Sequence, residues 1–469
     1  MQNRRICRPK TASLQTKIGE FADQNRRVCR PKSANLQAGK ILKGRQQDIK
    51  CEPDGHKQQY NIMTYEETVQ YLYDSVPMFQ NVGAAGYKEG LQNTMTLDEH
   101  FGHPHRMFRT IHIAGTNGKG SCSHTIAAML QCEGYKVGLY TSPHLVDFRE
   151  RIRINGECIG KEYVVDFVEK ERAFFEPLHP SFFELTTALA FKYFADRRVD
   201  IAVIEVGMGG RLDCTNIISP ELSIITNISL DHTQFLGDTT AKIAKEKSGI
   251  IKRGTPVIIG EADNQTRPVF DAVAKEKGAP ITYAEEGNYD EFDDIEFELK
   301  GGYQNKNRTT ILCAARQLGI PRASIAKGMA TVCEATGLKG RWQTLGTEPL
   351  VICDTGHNAG GWEYLAKQIR QVKCGTLRIV FGMVDDKDID TVMAMLPENA
   401  TYYWTQASTK RAVNCRDIMD KGKRLNLEGT PYPNVDAAYR AALEEASPAD
   451  FIFVGGSSYV VADLLSGEI

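Results

Sequence analysis

A glycine-rich turn with one lysine, Gly-Thr-Asn-Gly-Lys-Gly-Ser, occupies residues 115–121 between an apolar run at 111–114 and a helix predicted over 122–132. Backbone N–H groups of such a turn and the positive end of the helix dipole can wrap a polyphosphate, and Lys119 can neutralise its oxygens. Glycine is needed where a Cβ would obstruct the turn or the phosphate. The spacing departs from G-x-x-x-x-G-K-[ST], and a turn without a ligand is the alternative. We predict a nucleotide site formed by Gly115, Thr116, Asn117, Gly118, Lys119, Gly120 and Ser121.

Further charged side chains could assist phosphoryl transfer. Glu205 lies at the end of the apolar run 200–206, and α/β sheets bind ligands at the carboxyl ends of their strands. Magnesium prefers oxygen ligands, so we predict Glu205 as a metal ligand, with a helix-capping carboxylate as the alternative. Arg211 and Asp213, in the glycine-rich loop that follows, are predicted to contact the substrate. Arg341 could bind phosphate oxygens bidentately or be a surface residue.

Apolar runs of strand length alternate with helical segments and would position these residues. The runs are 110–114, 137–140, 200–206, 222–228 and 256–259, followed by 350–353, 377–381, 400–404 and 450–454. Such runs are typical of strands buried on both faces of a mostly parallel sheet. Residues 337–347, with three glycines, are the predicted hinge between the two series. We therefore predict two α/β domains that divide the chemistry between them.

Composition limits the class of protein. The chain of 469 residues is too long for one ordinary domain, and its formal net charge of −2 gives no reason to expect nucleic acid or an anionic membrane as a partner. No apolar run approaches the roughly 18 residues of a membrane span. The 12 cysteines are scattered without C-x-x-C pairs or zinc-type spacing. They fit reduced thiols in the cytoplasm better than a secreted disulfide framework.

The first 62 residues differ from the rest, with 14 Lys and Arg against 5 Asp and Glu. Residues 3–15 recur with few changes as residues 25–37, and neither copy has a hydrophobic face that could pack. A targeting peptide and a basic interaction arm are two functional interpretations. We favour a disordered leader upstream of a start at Met63. After it, apolar spacing over 65–73 predicts an amphipathic helix.

Eight motifs allow a more specific prediction. In chain order they are GTNGKGS at 115–121, TSPHL at 141–145, ERI at 150–152 with NG at 155–156, EVGMGGRLD at 205–213, DHT at 231–233, EKSG at 246–249, GRW at 340–342 and DTGHN at 354–358. Together, from Met63 onward, they resemble the folylpolyglutamate synthase–dihydrofolate synthase family of the Mur ligase superfamily; the leader has no counterpart there. The resemblance implies a P-loop ATPase-like αβα domain over 63–339, a hinge over 340–347 and a smaller Rossmann-like α/β domain over 348–469.

The resemblance also implies a metal site. Ser142, Glu205 and His232 would hold magnesium, although imidazole prefers zinc or copper and a structural histidine is the alternative for His232. Lys247 lies on a lysine-rich helix, where composition alone predicts a solvated side chain. In the family the matching lysine is carbamylated and helps to hold a second metal ion. The implied catalytic residues are Lys119, His232 and Lys247.

Contacts to ATP and to the substrates are implied in the same way. The family match assigns ATP contacts to Asn307, Arg341, Asp354 and His357. Many relatives have His at the position of Tyr303, so this chain departs from the family pattern there. Phe183 and its neighbour Phe182 could stack on a pteridine ring or belong to the core, and residues 75–80 and 83–90 would add to that surface. Glutamate is predicted to meet Lys410 or Arg411.

The implied reaction has two stages. ATP phosphorylates a carboxylate of the pteroyl substrate to an acyl phosphate, and the amine of L-glutamate displaces phosphate to form an amide. A cleft closed between two domains would keep water from the intermediate. The resemblance thus implies ATP and magnesium, folate or dihydropteroate and L-glutamate as small-molecule partners, and a monomer. Net charge and hydropathy predict no nucleic-acid or membrane partner. We favour an enzyme that accepts both pteroyl substrates.

Two other functions are open on the sequence alone. A ligase adding amino acids to a cell-wall precursor would share the phosphate loop and the Asp-x-x-His-Asn element, but TSPHL, EVGMGGRLD and EKSG favour folate. A nucleotide-binding regulator without catalysis would need the phosphate loop, but it gives no reason for Glu205, His232 and Lys247 to occur together.

Overall fold

The computed structural model of the protein describes residues 62–75, 90–385 and 387–467. The predicted leader lies outside the described residues except for Ile62, as do residues 76–80 and all of the predicted loop 83–90 except Gly90. In the described part, the strands form two separate sheets.

Eight strands form the first sheet: β1 (Arg109–Ala114), β2 (Val137–Tyr140), β3 (Ile152–Ile154), β4 (Glu157–Cys158), β5 (Ile201–Glu205), β6 (Leu222–Ile225), β7 (Val257–Ile259) and β8 (Ile281–Tyr283). Their order across the sheet is β4-β3-β2-β5-β1-β6-β7-β8. The strands from β2 to β8 in that order run parallel, whereas β3 and β4 form an antiparallel edge. The parallel strands therefore end at one edge of the sheet.

Six strands form the second sheet: β9 (Gln343–Thr347), β10 (Leu350–Asp354), β11 (Leu377–Phe381), β12 (Thr401–Trp404), β13 (Gly429–Pro431) and β14 (Phe451–Gly455). Their order is β13-β12-β11-β14-β10-β9, and only β9 runs antiparallel to its neighbour. We call the described residues before Gly340 the first lobe and those from Gly340 onward the second lobe.

Helices cover both sheets. In the first lobe they are α1 (Tyr65–Ser75), α2 (Gln92–His100), α3 (Lys119–Cys132), α4 (Lys161–Phe175), α5 (Phe182–Asp196), α6 (Thr233–Leu236), α7 (Thr240–Lys247), α8 (Arg267–Lys277), α9 (Gln304–Gln317), α10 (Arg322–Ala330) and α11 (Val332–Thr336). In the second lobe they are α12 (Ala359–Gln371), α13 (Ile389–Met393), α14 (Cys415–Arg424), α15 (Val435–Glu444) and α16 (Ser458–Ser466).

Successive strand residues enter apolar layers on opposite faces of each sheet. In β5, Val203 packs into one layer and Ile204 into the other. In β14, Phe453 and Val454 are divided in the same way. Because both faces are covered, side chains of both orientations must be apolar, which produces continuous apolar runs instead of alternation. The predicted α/β fold class with mostly parallel sheets is confirmed.

Several predicted boundaries differ from the structure. The predicted helix 122–132 begins earlier, at Lys119, because the phosphate loop turns directly into α3 at Gly118. Residues 343–347 of the predicted hinge form the edge strand β9, which has one neighbour and so does not need a continuous apolar sequence. The role of residues 340–342 as a hinge stays a prediction. The short strands β3, β4, β8 and β13 were not predicted.

Two further expectations concern the described residues. None of the helices found in them is both long and apolar enough to cross a membrane. Their nine cysteines are all free, and Cys122, Cys313, Cys353 and Cys415 are buried. The thiols therefore behave as small core or partly buried side chains.

Candidate active site

A cavity of about 420 Å³ lies between the two lobes. The first lobe contributes the carboxyl ends of β1, β2 and β5, and the second lobe contributes the end of β10. Most predicted site residues line this cavity: residues 115–121, Ser142, Phe183, Glu205, Asp213, His232, Lys247, Asn307, Arg341, Asp354 and His357. Of the described candidates, Arg211 and Lys410 are not part of its wall.

The phosphate loop has a conformation that requires glycine at two positions. Gly115 and Gly118 have φ values of 147° and 83°. A Cβ on Gly115 would lie 1.8 Å from Thr226 Oγ1, and one on Gly118 would lie 2.1 Å from Asn307 Oδ1. The loop is held by Asn227, which accepts from the amides of residues 116 and 117 at 2.9 Å. Its remaining amides at the start of α3 suit a bound anion.

Two lysine ammonium groups meet at one carbonyl oxygen in this loop. Lys119 Nζ and Lys247 Nζ donate to Gly115 O at 3.1 and 2.8 Å. Lys247 is 5% exposed, whereas Lys242 and Lys245 on the same helix are exposed. Burial, followed by the charge of Lys119, lowers the pKa of Lys247 to about 7. Composition alone predicts a solvated Lys247, and this is wrong because α7 turns that side chain towards the phosphate loop.

Glu205 lies beside the phosphate loop at the end of β5 and is 3% exposed. Its Oε2 accepts from the amide of Ser142, which follows the neighbouring strand β2, at 3.3 Å. Burial raises the pKa of Glu205, opposed chiefly by Lys119. A divalent cation would stabilise the ionised carboxylate. The described residues contain no group of three His, Cys, Asp or Glu side chains arranged for a metal, but magnesium needs only one or two carboxylates because phosphates and waters complete its shell.

His232 precedes α6 and has a left-handed backbone with φ of 50°. Burial lowers the pKa of its imidazole to about 4, so the ring is neutral at pH 7 and can act as a ligand. The adjacent Asp231 is close to the second lobe, with Lys387 Nζ at 2.7 Å from Oδ1 and His357 Nε2 at 3.8 Å from Oδ2. Burial acts to raise the pKa of Asp231, but His357 and Lys387 outweigh it and hold the pKa far below its usual range.

Asp354 ends β10 and is 2% exposed. Its carboxylate accepts from Tyr303 Oη and the Trp342 amide at 2.7 Å, and from the Gly356 amide at 2.8 Å. Arg341 reaches the phosphate loop from the same lobe, since a Cβ on Gly120 would lie 3.6 Å from its Nη2 and 3.8 Å from Glu205 Oε2. Residues of both lobes therefore surround one space beside the loop.

Three functional candidates were not predicted from the sequence. Asn358 exchanges amide hydrogen bonds of 3.3 and 3.0 Å with Asn117 of the phosphate loop. Gln304 donates to Ser121 Oγ at 3.1 Å and accepts from Asn307 at 2.8 Å. Lys387 pairs with Asp231. Asn358 lies within the DTGHN motif, so the sequence could have indicated it as a site residue. No sequence motif indicates Gln304 or Lys387, and only the fold brings them to the site.

Two phenylalanines, Phe182 and Phe183, line the cavity. The rings of Phe183 and Tyr140 stack at 5.8 Å with 30° between their planes, and a Cβ on Gly207 would lie 2.4 Å from Phe183. Phe182 is 3% exposed and belongs mainly to the core, with the Arg151 guanidinium 5.2 Å from its ring centroid. Phe183 thus offers a ring to the cavity, as one of the two predicted alternatives requires.

Of the other residues predicted to contact a substrate, Asp213 and Arg411 line the cavity and Arg211 does not. Arg211 is exposed and pairs with Glu246 at 3.1 Å outside the cavity wall. Asp213 lines the cavity, but its carboxylate accepts from the amides of Met208 and Thr215 at 2.9 and 3.0 Å and so holds its own loop. Arg411 lines the second-lobe side. The loop turns the Arg211 side chain towards Glu246 on α7, so in the described structure it does not face the cavity.

Two domain families match the chain. The Mur ligase middle domain matches residues 113–315, and the Mur ligase glutamate ligase domain matches residues 340–458. The folylpolyglutamate synthase of Lacticaseibacillus casei is 32% identical over 85% of this chain and 97% of its own length. The Haloferax volcanii protein named probable bifunctional folylpolyglutamate synthase/dihydropteroate synthase is 34% identical over 86% of this chain, which spans about half (50%) of that relative's length.

Solved structures with the same fold contain ligands. Escherichia coli FolC in complex with DHPP and ADP matches with a TM-score of 0.76 and 29% identity, covering 86% of this chain and 97% of that one. The bifunctional folylpolyglutamate synthase/dihydrofolate synthase structure with Mn, AMPPNP and L-glutamate bound matches with a TM-score of 0.73 and 28% identity, covering 86% and 98%.

Proposed function

Because the chain belongs to the folylpolyglutamate synthase/dihydrofolate synthase family of Mur ligases, we propose that it uses ATP to join L-glutamate to a carboxylate of folate or dihydropteroate. One observation carries the proposal. The phosphate loop, Lys119, Lys247 and Glu205 share a cavity with Arg341 and Asp354 of the other lobe. A nucleotide between the lobes would therefore meet cations and a candidate metal ligand at its phosphates.

ATP would bind with its phosphates on the loop 115–121. The free amides at the start of α3 and the Lys119 ammonium suit the negative charge of the β- and γ-phosphates. Asn307 and Asp354 offer hydrogen-bonding groups on either side, and Arg341 adds a permanent positive charge from the second lobe. This arrangement supports nucleotide binding that draws the lobes together.

Magnesium fits the residues Ser142, Glu205 and His232, because they supply a hydroxyl, a buried carboxylate and a neutral imidazole. When bound, the ion neutralises charge that develops on the phosphates during transfer. The Lys247 amine, with its lowered pKa, is suited to react with carbon dioxide, and the carbamate formed would be an anion beside the loop. This carbamate would help to hold a second metal ion.

The reaction proceeds through an acyl phosphate. A carboxylate oxygen of the pteroyl substrate attacks the γ-phosphorus of ATP, and the bond to the leaving ADP oxygen breaks. The amine nitrogen of L-glutamate then attacks the acyl carbon, loses a proton, and expels phosphate as the C–O bond breaks. Enclosure between the lobes keeps water from hydrolysing the intermediate. The chain's residues act by holding and orienting the reactants, so no side-chain nucleophile is needed.

The acceptor would place its pterin ring against Phe183. Phe183, which lines the cavity, provides a ring for offset stacking, and the fully buried Tyr140 ring packs behind it. Glutamate would enter from the second lobe, where Arg411 offers charge for a carboxylate. The free thiols support a reducing compartment, the cytoplasm, and we expect the enzyme to act as a monomer.

A turnover assay with ATP and glutamate, run side by side with tetrahydrofolate and dihydropteroate, tests the function. We expect glutamate-dependent ADP release with at least one acceptor. Glu205→Gln should lower kcat by a factor of about 100 or more, whereas Glu221→Gln, at an exposed carboxylate paired with Arg109, should leave it unchanged. Absence of glutamate-dependent turnover with both acceptors would remove the proposal. Turnover with cell-wall precursors instead would identify another Mur-type ligase.

A further inference from the structure

Tyr303 is a first-lobe residue that packs into the second lobe. It occupies the N-cap position of α9, the helix that also carries Gln304 and Asn307, but its side chain makes no capping hydrogen bond. Its ring packs against the apolar cluster around Trp362, Phe381 and Phe453, which is one of the two apolar layers of the second lobe. The chain reaches this position through Gly301, where a Cβ would lie 2.7 Å from the Tyr303 ring.

The Tyr303 hydroxyl completes the hydrogen bonds of Asp354. It donates to Oδ2 at 2.7 Å, the oxygen that also accepts from the Trp342 amide at 2.7 Å. Oδ1 accepts from the Gly356 amide at 2.8 Å. The two amides come from the second lobe itself, so Tyr303 is the first-lobe member of this set. A carboxylate held from three directions has little rotational freedom.

The same segment is joined to the phosphate loop and to α12. The Gly302 amide donates to Gln368 on α12, and Gln368 donates back to Lys300 O at 3.2 Å. One residue after Tyr303, Gln304 contacts Ser121 of the phosphate loop, and three residues later Asn307 lies against Gly118. Tyr303 therefore connects two parts of the site: the phosphate loop, which Gln304 and Asn307 contact, and the Asp354 carboxylate of the second lobe.

We propose that Tyr303 is a positioning residue for the nucleotide: its hydroxyl orients Asp354 and keeps that carboxylate at a set distance from the phosphate loop. The inference rests on the proposed function, since it requires that a nucleotide lies between Asp354 and the loop. The Tyr303 hydroxyl is the donor in this geometry, and burial and the neighbouring Asp354 raise the pKa of its phenol further above neutral.

The test compares Tyr303→Phe with Tyr283→Phe. The first variant keeps the ring and removes the hydroxyl. The second is a matched control, because Tyr283 Oη donates to Asp271 at 2.8 Å elsewhere in the first lobe. We expect Tyr303→Phe to raise the Kd for ADP and the KM for ATP about tenfold, with kcat within about twofold of the wild type. Tyr283→Phe should leave all three constants unchanged.

A double-mutant cycle with Asp354→Asn separates positioning from general damage. We expect Tyr303→Phe to weaken ADP binding in the wild-type background and to have little further effect when Asp354 is already Asn. Asp354→Asn leaves the Tyr303 ring in place, so it keeps the test informative if Tyr303→Phe melts at a lower temperature. In that event weakened ADP binding by folded Asp354→Asn supports the inference, and wild-type binding overturns it.

The outcomes distinguish this inference from the proposed function. If the wild type turns over and Tyr303→Phe binds ADP as tightly as Tyr283→Phe does, the positioning role is wrong and the function stands. The positioning role is also wrong if the effects of Tyr303→Phe and Asp354→Asn on ADP binding are fully additive. If the wild type binds no ADP, both fail.

Discussion

At the scale of single residues, the site depends on a buried lysine whose pKa is lowered to about 7. Lys247 is buried beside Lys119, and both donate to Gly115 O. Two ammonium groups that contact the same carbonyl oxygen repel each other unless a negative charge lies nearby. Carbamate formation would remove the positive charge and supply a negative one, so it would resolve the repulsion that the packing creates.

We predict that Lys247→Ala loses nearly all turnover and recovers part of it when a short carboxylic acid is added, because the acid can occupy the place of the carbamate. Lys245→Ala, on the exposed side of the same helix, should keep wild-type activity. Glutamate-dependent ADP release measures both. Full activity of Lys247→Ala would show that the lysine has no part in catalysis.

The same residue sets a pH dependence. Burial lowers the pKa of Lys247 from 10.5 to about 7, and only the neutral amine reacts with carbon dioxide. The reactive fraction therefore falls as the pH drops through 7 and is close to complete well above it. Activation of enzyme stripped of carbon dioxide should thus be faster at pH 8 than at pH 6 (about tenfold, from the titration of one group).

At the scale of elements, the N-terminus of α12 joins the second lobe to the phosphate loop. Asn358 caps this helix, with Oδ1 accepting from the Gly361 amide at 2.9 Å, and its amide also pairs with Asn117. One side chain thus serves the stability of a helix and the position of the loop.

Replacement of Asn358 by Ala should separate these two contributions when it is compared with Asn434→Ala. Asn434 caps α15 in the same way, accepting from Ala437 at 2.8 Å, but it is exposed and remote from the loop. Each variant should lose about 1 kcal/mol of unfolding free energy. Only Asn358→Ala should also raise the KM for ATP (several-fold, from the lost amide pair). Equal kinetic constants for the two variants would contradict the interlobe role.

At the scale of the whole molecule, the lobes are joined by a buried ion pair. Lys387 Nζ lies 2.7 Å from Asp231 Oδ1, and the two side chains are 9% and 12% exposed. Removing Lys387 leaves the largely buried Asp231 with the longer second-lobe contacts to His357 and Asn358, which is more costly than losing a surface pair. The pair should therefore help to keep the lobes closed.

We predict that Lys387→Met lowers the free energy of unfolding by about 3 kcal/mol and increases the radius of gyration in small-angle scattering without nucleotide. Lys421→Met removes the partner of Asp390, which is 80% exposed, and should change neither quantity. Indistinguishable scattering and denaturation curves for the two variants would mean that the ion pair does not hold the lobes.

Local sequence determined the phosphate loop and the strands that are buried on both faces, but not the short strands β3, β4, β8 and β13 or the edge strand β9. Continuous apolar runs require burial on both faces, and the glycines with Lys119 lie within seven consecutive residues, so neighbours along the chain carry the signal. The same holds for Glu205, whose position at a strand end follows from the run before it. The predicted fold class and the family rested on such contiguous segments.

Only the tertiary structure decided which charged side chains face the cavity. Lys247 and Lys245 look alike in sequence, as do Arg341 and Arg211 in their glycine-rich loops, yet in each pair one is turned towards the cavity and the other away from it. The contacts of Tyr303 with Asp354, Lys387 with Asp231 and Gln304 with Ser121 join residues 51, 156 and 183 positions apart. Burial and pairing of this kind depend on how distant elements pack, and no local pattern encodes that packing.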